Sequence, residues 1–497
     1  MTTVFFFTHP TQTTWFTLIA ESIKTHFKDV RIVVFSHGQS ELDYARQYKV
    51  YDEFIDLIDG FEYNPHLPLG DIKYSPNLKQ LEEDLNLSFF WEDCRTDRWL
   101  RVKNDGNFTL QYLNHAFEIL HKKYKEYNPI FGYGESTMAI YRFAHRLFDR
   151  DNKKYYTALL TRYYKRFYME DDWFWSWKDA IKNYHYYLEN GIPQDVLDVV
   201  LPIYTNVVEK KVKPVATQVY NAKHKKGFTD FNWFNIGKMF SIFKEMKAIS
   251  DYDMKNNVRY VISEKTLSQK LKRYFGFKKN HRDYLKLIEH DLPKGISYSS
   301  YFLHYQPEYT SDSLGKFYVD QQFLISNIAM SLPAGQFLVV KDHVVSVGLR
   351  PKSFYEHIKK NPNVILLRHD YSPDEIVKNS KVVFTIVGSV ALEAMFIGKP
   401  TIMFGKYAFA KTNTISLCTS FWELGDMIRQ KMNEKHDPGE VKRHALALLA
   451  GKYSGSMPGD IFGIERNPEE VELFPENAEV VKKSLVEYLK KTYPLAG

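Results

Sequence analysis

Segments typical of β-strands and of helices alternate in two separate stretches of this chain, and this alternation constrains the fold more than any other feature. In the first stretch, helical spacing covers residues 14–27 and 110–127, and strand-like runs cover residues 3–8, 31–36, 50–57 and 129–133. Strands that alternate with helices favour a parallel sheet with helices on both faces. The first stretch is therefore predicted to form a doubly wound α/β domain.

The second stretch opens near residue 297 and shows the same pattern more clearly. Helical segments separate its strand-like runs, which are residues 297–304, 336–341, 364–368, 381–387 and 401–404. Between the two stretches, residues 173–279 have helical spacing and are dense in Trp, Tyr, Phe and Lys. We interpret this middle part as a helical insertion or a linking region.

A chain of 497 residues is too long for one hydrophobic core, so two or three domains are expected. The predicted domains are an N-terminal Rossmann-like domain (1–172), the helical, aromatic and basic region (173–285), a C-terminal Rossmann-like domain (286–470) and a terminal helix (471–497). The longest apolar stretch, residues 382–404, contains Glu393, Lys399 and Pro400. It therefore predicts a strand, a helix and a strand, and not a membrane span.

Charge and cysteine content narrow the class of protein. The formal net charge of +7 permits contact with anionic lipids or sugars but is far from the footprint of a nucleic-acid-binding protein. Cys94 and Cys418 cannot build a disulfide framework, which fits a reducing compartment. The apolar run at residues 4–7 lacks a basic segment before it and predicts a first strand, not a signal peptide. We expect a cytoplasmic protein whose basic, aromatic middle would suit peripheral contact with a membrane surface.

The clearest candidate site is the run Thr385-Ile-Val-Gly-Ser-Val-Ala-Leu-Glu393. An apolar strand ends there, Gly388 and Ser389 form a turn, and a helix follows at once. A helix N-terminus presents N–H groups and a partial positive charge, which suits a phosphate, and Ser389 adds a hydroxyl. One turn later, Glu393 could accept hydrogen bonds from ribose hydroxyls. The alternative is a capped helix whose Glu393 forms a salt bridge.

Other polar residues also follow predicted strands of the second stretch. They are Gln306 and Glu308 after the first strand and Lys341 and His343 at the end of the second. In doubly wound sheets, the ligand crevice lies outside the carboxyl ends of the strands. We therefore expect these residues to line a donor-binding site with Gly388, Ser389 and Glu393.

Several of these pieces occur together in one known family. Residues 301–407 resemble the C-terminal domain of the capsule polysaccharide biosynthesis family, through the runs Leu303-His-Tyr-Gln-Pro-Glu308, Tyr318-Val-Asp-Gln321, Val339-Val-Lys-Asp-His343, Arg350-Pro351 with Phe354-Tyr355, and residues 388–400. The resemblance covers about a fifth of the chain directly. It implies a GT-B fold, in which two Rossmann-like domains face a cleft. The C-terminal domain would hold the donor nucleotide and the N-terminal domain the acceptor. The family includes transferases of Kdo, a 3-deoxy sugar acid, from a CMP-activated donor.

One position departs from the family pattern. Members generally carry His-Pro after the strand that ends at Lys341, whereas this chain has His343 followed by Val344. The histidine expected at the donor phosphate is retained, but the proline that stiffens the turn is absent. This difference leaves the identity of the donor open.

The resemblance also suggests residues in the N-terminal domain. Glu135 stands where the family often places an acidic residue facing the cleft, so it is the candidate general base or anchor for the acceptor hydroxyl. The alternative is a carboxylate that only favours the helix dipole. The reserve candidates for the base are Asp171 and Asp172, and the candidate acceptor-binding residues are His9, Arg162 and Arg166.

The predicted function is transfer of an acidic sugar, Kdo or a related one, from a CMP-activated donor to a glycan or glycolipid. No cofactor or metal is expected, because a CMP donor carries one phosphate, whose charge Ser389, His343 and Lys341 could meet. The alternatives are a polyol-phosphate transferase that uses a CDP-linked donor and a non-catalytic carbohydrate-binding subunit of a polysaccharide assembly machine.

Overall fold

The computed structural model describes residues 1–7, 13–38, 42–43, 45–46, 48–134, 138–160, 165–171, 177–209, 244, 247, 267–308, 310–344, 346–410, 412–455 and 474–494. The chain forms two compact units. The first consists of the described residues of Met1–Trp173, Pro214–Leu267 and Gly451–Gly497, and the second of those of Phe174–Lys213 and Ser268–Ala450.

The strands, in chain order, are β1 (Thr2–Phe7), β2 (Val30–Ser36), β3 (Glu53–Asp56), β4 (Phe131–Gly134), β5 (Lys154–Leu160), β6 (Arg166–Glu170), β7 (Ser297–Phe302), β8 (Gln336–Lys341), β9 (Val364–Leu367), β10 (Val383–Thr385), β11 (Thr401–Met403), β12 (Ile415–Leu417) and β13 (Tyr453–Ser454). β3 is shorter than the predicted run at residues 50–57. β5, β6, β12 and β13 lie outside the predicted strand runs.

The helices are α1 (Thr13–His26), α2 (Pro76–Leu85), α3 (Phe90–Thr96), α4 (Arg98–Lys103), α5 (Gly106–Tyr127), α6 (Ala139–Arg150), α7 (Lys178–Asn190), α8 (Gln194–Val208), α9 (Leu267–Leu285), α10 (Gln321–Ser331), α11 (Lys352–Lys359), α12 (Pro373–Asn379), α13 (Val390–Phe396), α14 (Phe421–Asn433), α15 (Pro438–Leu449) and α16 (Phe474–Thr492). No helix of the described ranges is both long and apolar enough to span a membrane.

The first unit contains a sheet with the strand order β13-β6-β5-β4-β1-β2-β3. Its strands are parallel from β5 to β3, whereas β6 runs antiparallel to β5 and β13 antiparallel to β6. Successive side chains of a strand point to opposite faces of the sheet, so Phe5 and Phe7 join one hydrophobic core and Val4 and Phe6 join the other. Helices thus cover both faces of this sheet.

The second unit contains a sheet of parallel strands in the order β12-β11-β10-β7-β8-β9. From β7 the chain moves outward through β8 to β9 and then returns to the other side of β7 with β10. The strand order therefore reverses between β7 and β10, which is the topological switch point of a Rossmann-like sheet. The two Rossmann-like α/β domains that the GT-B fold requires are both present, so the predicted fold class is confirmed.

The described part of the predicted helical region consists of α7, α8 and α9, and α7 and α8 pack against α15 in the second unit. Residues 210–243 lie outside the described residues. The strand β13 belongs to the first unit because it pairs with β6, although the sequence division extends the second domain to residue 470.

Candidate functional site

The switch point of the second sheet brings two loops together. β7 and β10 are adjacent, with Tyr301 paired to Phe384, so the residues that follow them meet at the carboxyl edge of the sheet. His304 follows β7, and its Nε2 lies 2.9 Å from Thr385 Oγ1 and 3.0 Å from the backbone nitrogen of Ile386. These bonds join the loop after β7 to the end of β10.

Thr385 also stabilises the turn that leads into α13 by accepting a hydrogen bond from it. The backbone N–H of Gly388 donates to Thr385 Oγ1 at 3.0 Å. A side chain at Gly388 would bring its Cβ to 2.8 Å from Thr385 Oγ1 and 3.1 Å from His304 Cε1. Glycine is favoured here because the backbone approaches Thr385 Oγ1 too closely for a side chain and also lies close to the His304 ring.

The loop after β8 is organised by a fully buried carboxylate, Asp342. Its Oδ1 accepts the backbone N–H of His343 at 2.6 Å and the Arg350 guanidinium at 2.5 Å. Its Oδ2 accepts the Tyr355 hydroxyl at 2.5 Å. A buried charge is tolerated when it is paired and hydrogen-bonded in this way.

Arg350 links the two loops that flank the site. Its guanidinium donates to Asp342 after β8 and also to the backbone oxygen of His304 after β7. Burial opposes the charge, but the Asp342 carboxylate more than compensates and raises the pKa of Arg350. The charged guanidinium therefore holds His304 and His343 in a fixed relation to each other.

His343 is exposed at this edge, directly after Asp342. Partial desolvation, with Lys341 and Arg350 nearby, lowers its pKa against the opposing effect of Asp342. Its backbone oxygen accepts the N–H of Ser346 at 2.8 Å. The turn that lacks the family's proline is thus fixed by the Asp342 carboxylate and by this backbone bond.

Ser389 immediately precedes α13 and is half-buried, and its side chain makes no capping hydrogen bond to the helix. Glu393 lies in the first turn of α13 and is also half-buried. The strand–turn–helix geometry predicted for residues 385–393 is therefore present. The ligand roles of Gly388, Ser389 and Glu393 stay predictions.

Gln306 and Glu308 take part in the internal structure of the loop after β7. The Gln306 amide donates to Asp312 Oδ1 at 2.9 Å and to the Val319 oxygen at 3.0 Å, and its oxygen accepts from Gln321 at 2.8 Å. The backbone N–H of Glu308 donates to Asp312 Oδ2 at 3.0 Å. These bonds shape the loop, and the predicted contacts of Gln306 and Glu308 with a donor stay predictions.

In the first unit, four predicted site residues lie outside the described residues: Glu135, Asp172, His9 and Arg162. Asp171 forms an ion pair with Lys154 at 2.6 Å. Because β6 is antiparallel to β5, Asp171 lies at the edge where β4 and β5 begin, opposite the edge that Glu135 follows in the chain. The structure does not bring Asp171 to the carboxyl end of β4.

Arg166 is buried in the same sheet. Its guanidinium donates to Ser454 Oγ at 2.6 Å and to the backbone oxygens of Gly451 and Lys452 at 3.4 Å. These bonds connect β6 to β13 and give Arg166 a structural role, whereas its contact with an acceptor stays a prediction. Within the described ranges, no three His, Cys, Asp or Glu side chains converge as metal ligands.

Three residues that organise the site were not among the predicted ligands. His304, Asp342 and Arg350 lie in the runs that carry the family resemblance, but the predicted ligands were the nearby residues Gln306, Lys341 and His343. The sequence could have pointed to His304 and Asp342, because both are among the first polar residues after buried strands.

The comparison with protein families covers this part of the chain. Residues 205–414 match the sequence profile described as capsule polysaccharide biosynthesis protein. The predicted family resemblance is confirmed. The matched residues include the loops after β7, β8 and β10. No curated protein matches the chain.

The comparison with solved structures returns, among others, two transferases described as KpsC of Thermosulfurimonas dismutans. The β-Kdo 2,7 transferase is 14% identical, with 44% of this chain and 64% of that chain covered and a TM-score of 0.26. The chain therefore spans less than two thirds of that relative. The β-Kdo 2,4 transferase is 12% identical, with 67% and 85% covered and a TM-score of 0.29. A glycosyltransferase from Rickettsia africae is 9% identical, with 97% and 99% covered and a TM-score of 0.26.

Proposed function

We propose that this chain is a glycosyltransferase of capsule polysaccharide biosynthesis that transfers an acidic sugar, such as Kdo, from a CMP-activated donor to a glycan or glycolipid. The observation that carries the proposal is the meeting of three loops at the switch point of the second sheet. Those loops present His304, His343 and the Gly388-Ser389 turn, and the family match includes all of them. In Rossmann-like sheets this crevice is where nucleotides bind.

The donor phosphate would be met by one positive charge and by hydrogen-bond donors. In the reaction, the acceptor oxygen forms a bond to the anomeric carbon while the bond from that carbon to the CMP phosphate oxygen breaks. CMP leaves with the electron pair, so negative charge grows on the phosphate. Lys341 supplies a positive charge, and His343 and Ser389 supply hydrogen bonds that strengthen as that charge develops. Glu393 would accept hydrogen bonds from the ribose hydroxyls.

On the acceptor side, we propose Glu135 as the general base. It follows Gly134, the last residue of β4, and β4 pairs with β1 at the switch point of the first sheet. A carboxylate there would take the proton from the attacking hydroxyl. His9 and Arg162 would contribute to acceptor binding. Contact of the basic, aromatic middle with a membrane surface is part of the same proposal.

A thermal-shift comparison of CMP, CDP, UDP and GDP tests the nucleotide. A ligand that binds only the folded protein stabilises it by about 2.7 kcal/mol when present at 100 times its Kd. CMP should raise the Tm more than UDP or GDP. A larger shift with CDP would favour the polyol-phosphate alternative, and no shift with any nucleotide would contradict a donor site and favour a non-catalytic subunit.

A further inference from the structure

We propose that His304 is a ligand-binding residue of this site, whose Nδ1–H donates a hydrogen bond to a phosphate oxygen of the bound nucleotide. The inference rests on the proposed function, because it assumes that the switch point holds a nucleotide. It adds a direct contact that neither the family resemblance nor the strand-end rule assigns.

The tautomer of His304 is fixed by its partners. The backbone N–H of Ile386 can only donate, and it points at Nε2 from 3.0 Å. Thr385 Oγ1 accepts the N–H of Gly388, so its own hydroxyl hydrogen is free to donate to the same Nε2 at 2.9 Å. Nε2 is therefore an acceptor, and in the neutral ring the proton is on Nδ1.

The ring is also held in the neutral state. His304 is only 9% exposed. Burial, followed by the electrostatic effects of His343 and Arg350, lowers the pKa of His304 to about 3. At neutral pH, Nδ1–H is thus a hydrogen-bond donor without a full charge, and it keeps its proton when an anion binds and leaves.

The donor has no partner within the described structure. Both bonds of the ring go to Nε2, and Nδ1 has no hydrogen-bond partner among the described residues. Nδ1 is not one of the fully buried atoms that lack a partner, so it reaches solvent at the crevice, where a ligand oxygen can take the place of water. The ring edge that includes Cε1, next to Nδ1, faces Gly388, at the turn where the phosphate is proposed to bind.

The surroundings suit an anion. The backbone oxygen of His304 is held by Arg350, and its N–H donates to Gln321 Oε1 at 2.7 Å, so the ring has little freedom to turn away. The Arg350 guanidinium, which donates to the His304 backbone oxygen, places a positive charge next to His304. A phosphate oxygen would meet a rigid, pre-oriented donor, and little entropy would be lost on binding.

Two substitutions separate ligand contact from structural support. In His304→Asn, the shorter amide can place an N–H close to the position of Nδ1 but cannot reach Ile386. In His304→Gln, the longer side chain can place its oxygen near the position of Nε2 and accept from Ile386, but it leaves no donor at Nδ1. If His304 binds the ligand, the His304→Asn variant should keep most of its affinity for CMP but lose stability. The His304→Gln variant should keep its stability but lose affinity for CMP.

The probe is CMP, titrated calorimetrically into the full-length chain. We expect His304→Gln to raise the Kd by about tenfold to a hundredfold, the usual effect of losing a hydrogen bond to a charged group, and His304→Asn to raise it by less. His121→Asn is the matched control, because His121 is a buried histidine of the first unit. It should leave the Kd for CMP unchanged.

Nitrogen-15 NMR of the histidine rings gives a second test that a structural role alone would not satisfy. The His304 signal should report a proton on Nδ1, and addition of CMP should shift that signal. A proton on Nε2, or a folded His304→Gln variant that binds CMP as tightly as the unchanged chain, would overturn the inference alone. Failure of the unchanged chain to bind CMP would overturn both the inference and the proposed donor site.

Discussion

Removing a single hydrogen-bond or ion-pair partner of the buried Asp342 carboxylate should destabilise the second unit. The loss of stability should be larger when the removed partner carries a charge. Tyr355→Phe deletes one charge-assisted hydrogen bond, at 2.5 Å to Asp342 Oδ2, and keeps the ring in place. We expect a loss of about 1.5–3 kcal/mol. Arg350→Met removes the only ion-pair partner that the described structure gives Asp342 and leaves its charge buried, for which the expected loss is about 3–5 kcal/mol.

The matched control is Tyr298→Phe in β7. The Tyr298 hydroxyl is buried in the same unit but donates to a neutral backbone oxygen, that of Ile376, at 3.2 Å. Its deletion should therefore cost only about 0.5–1.5 kcal/mol. The two Tyr→Phe substitutions remove the same atom, so their difference isolates the effect of the carboxylate.

Urea unfolding, followed through the signal of the second unit, measures these free energies, and the slope m should stay constant if only the folded state changes. Arg350→Met should also weaken CMP binding, because Arg350 holds the His304 and His343 loops together. Equal losses for Tyr355→Phe and Tyr298→Phe, or a loss below about 1 kcal/mol for Arg350→Met, would refute the view that Asp342 is a charged anchor of the site.

Three further substitutions or treatments test the separate parts of the proposal. Ser389→Ala should weaken CMP binding by about 1 kcal/mol or somewhat more, measured by calorimetry, and an unchanged Kd would remove Ser389 from the phosphate site. Glu135→Gln should lower sugar transfer by ~10²–10⁴-fold at an unchanged Kd for CMP, and a normal rate would remove Glu135 as the general base. Treatment with EDTA should leave the transfer rate unchanged, because one phosphate can be met by Lys341 and its neighbours, and a rate restored only by added Mg²⁺ would contradict this.

Most of the second sheet could be predicted because its strands are buried on both faces and are separated by amphipathic helices. The run at residues 381–387, for example, contains β10 and the turn that follows it. The strand β12, Ile415–Leu417, was missed because it is a short edge strand with only Ile415 fully buried, so it lacks the longer apolar run that contains β10. The strand order itself depends on pairings between distant segments, which periodicity does not reveal.

The placement of Asp171 could have been predicted from the length of the connection between β5 and β6. Only five residues connect the end of β5 at Leu160 to the start of β6 at Arg166. Parallel neighbours need a crossover of a dozen or more residues, so this connection permits only an antiparallel pair. Asp171 therefore had to lie at the amino-terminal edge of the parallel strands.

The position proposed for the donor site follows from the rule that ligands bind at the carboxyl ends of parallel strands. The individual contacts did not follow, because His304 and Thr385 are 81 positions apart and meet only when β7 and β10 are neighbours. In the same way, the bond from Arg350 to the His304 oxygen joins residues 46 positions apart. Such pairs require the strand order before they can be inferred.

Turnover of activated sugars shows which donor the chain uses. The purified chain is incubated with an acceptor glycan and, in parallel, with CMP-Kdo, a CDP-linked polyol and UDP-glucose, and the released nucleotide is measured by mass spectrometry. We expect CMP to be released from CMP-Kdo with the sugar recovered on the acceptor, and we expect His343→Ala and Ser389→Ala to reduce this release. Turnover of the CDP-linked polyol or UDP-glucose alone, or of no donor, would contradict this expectation.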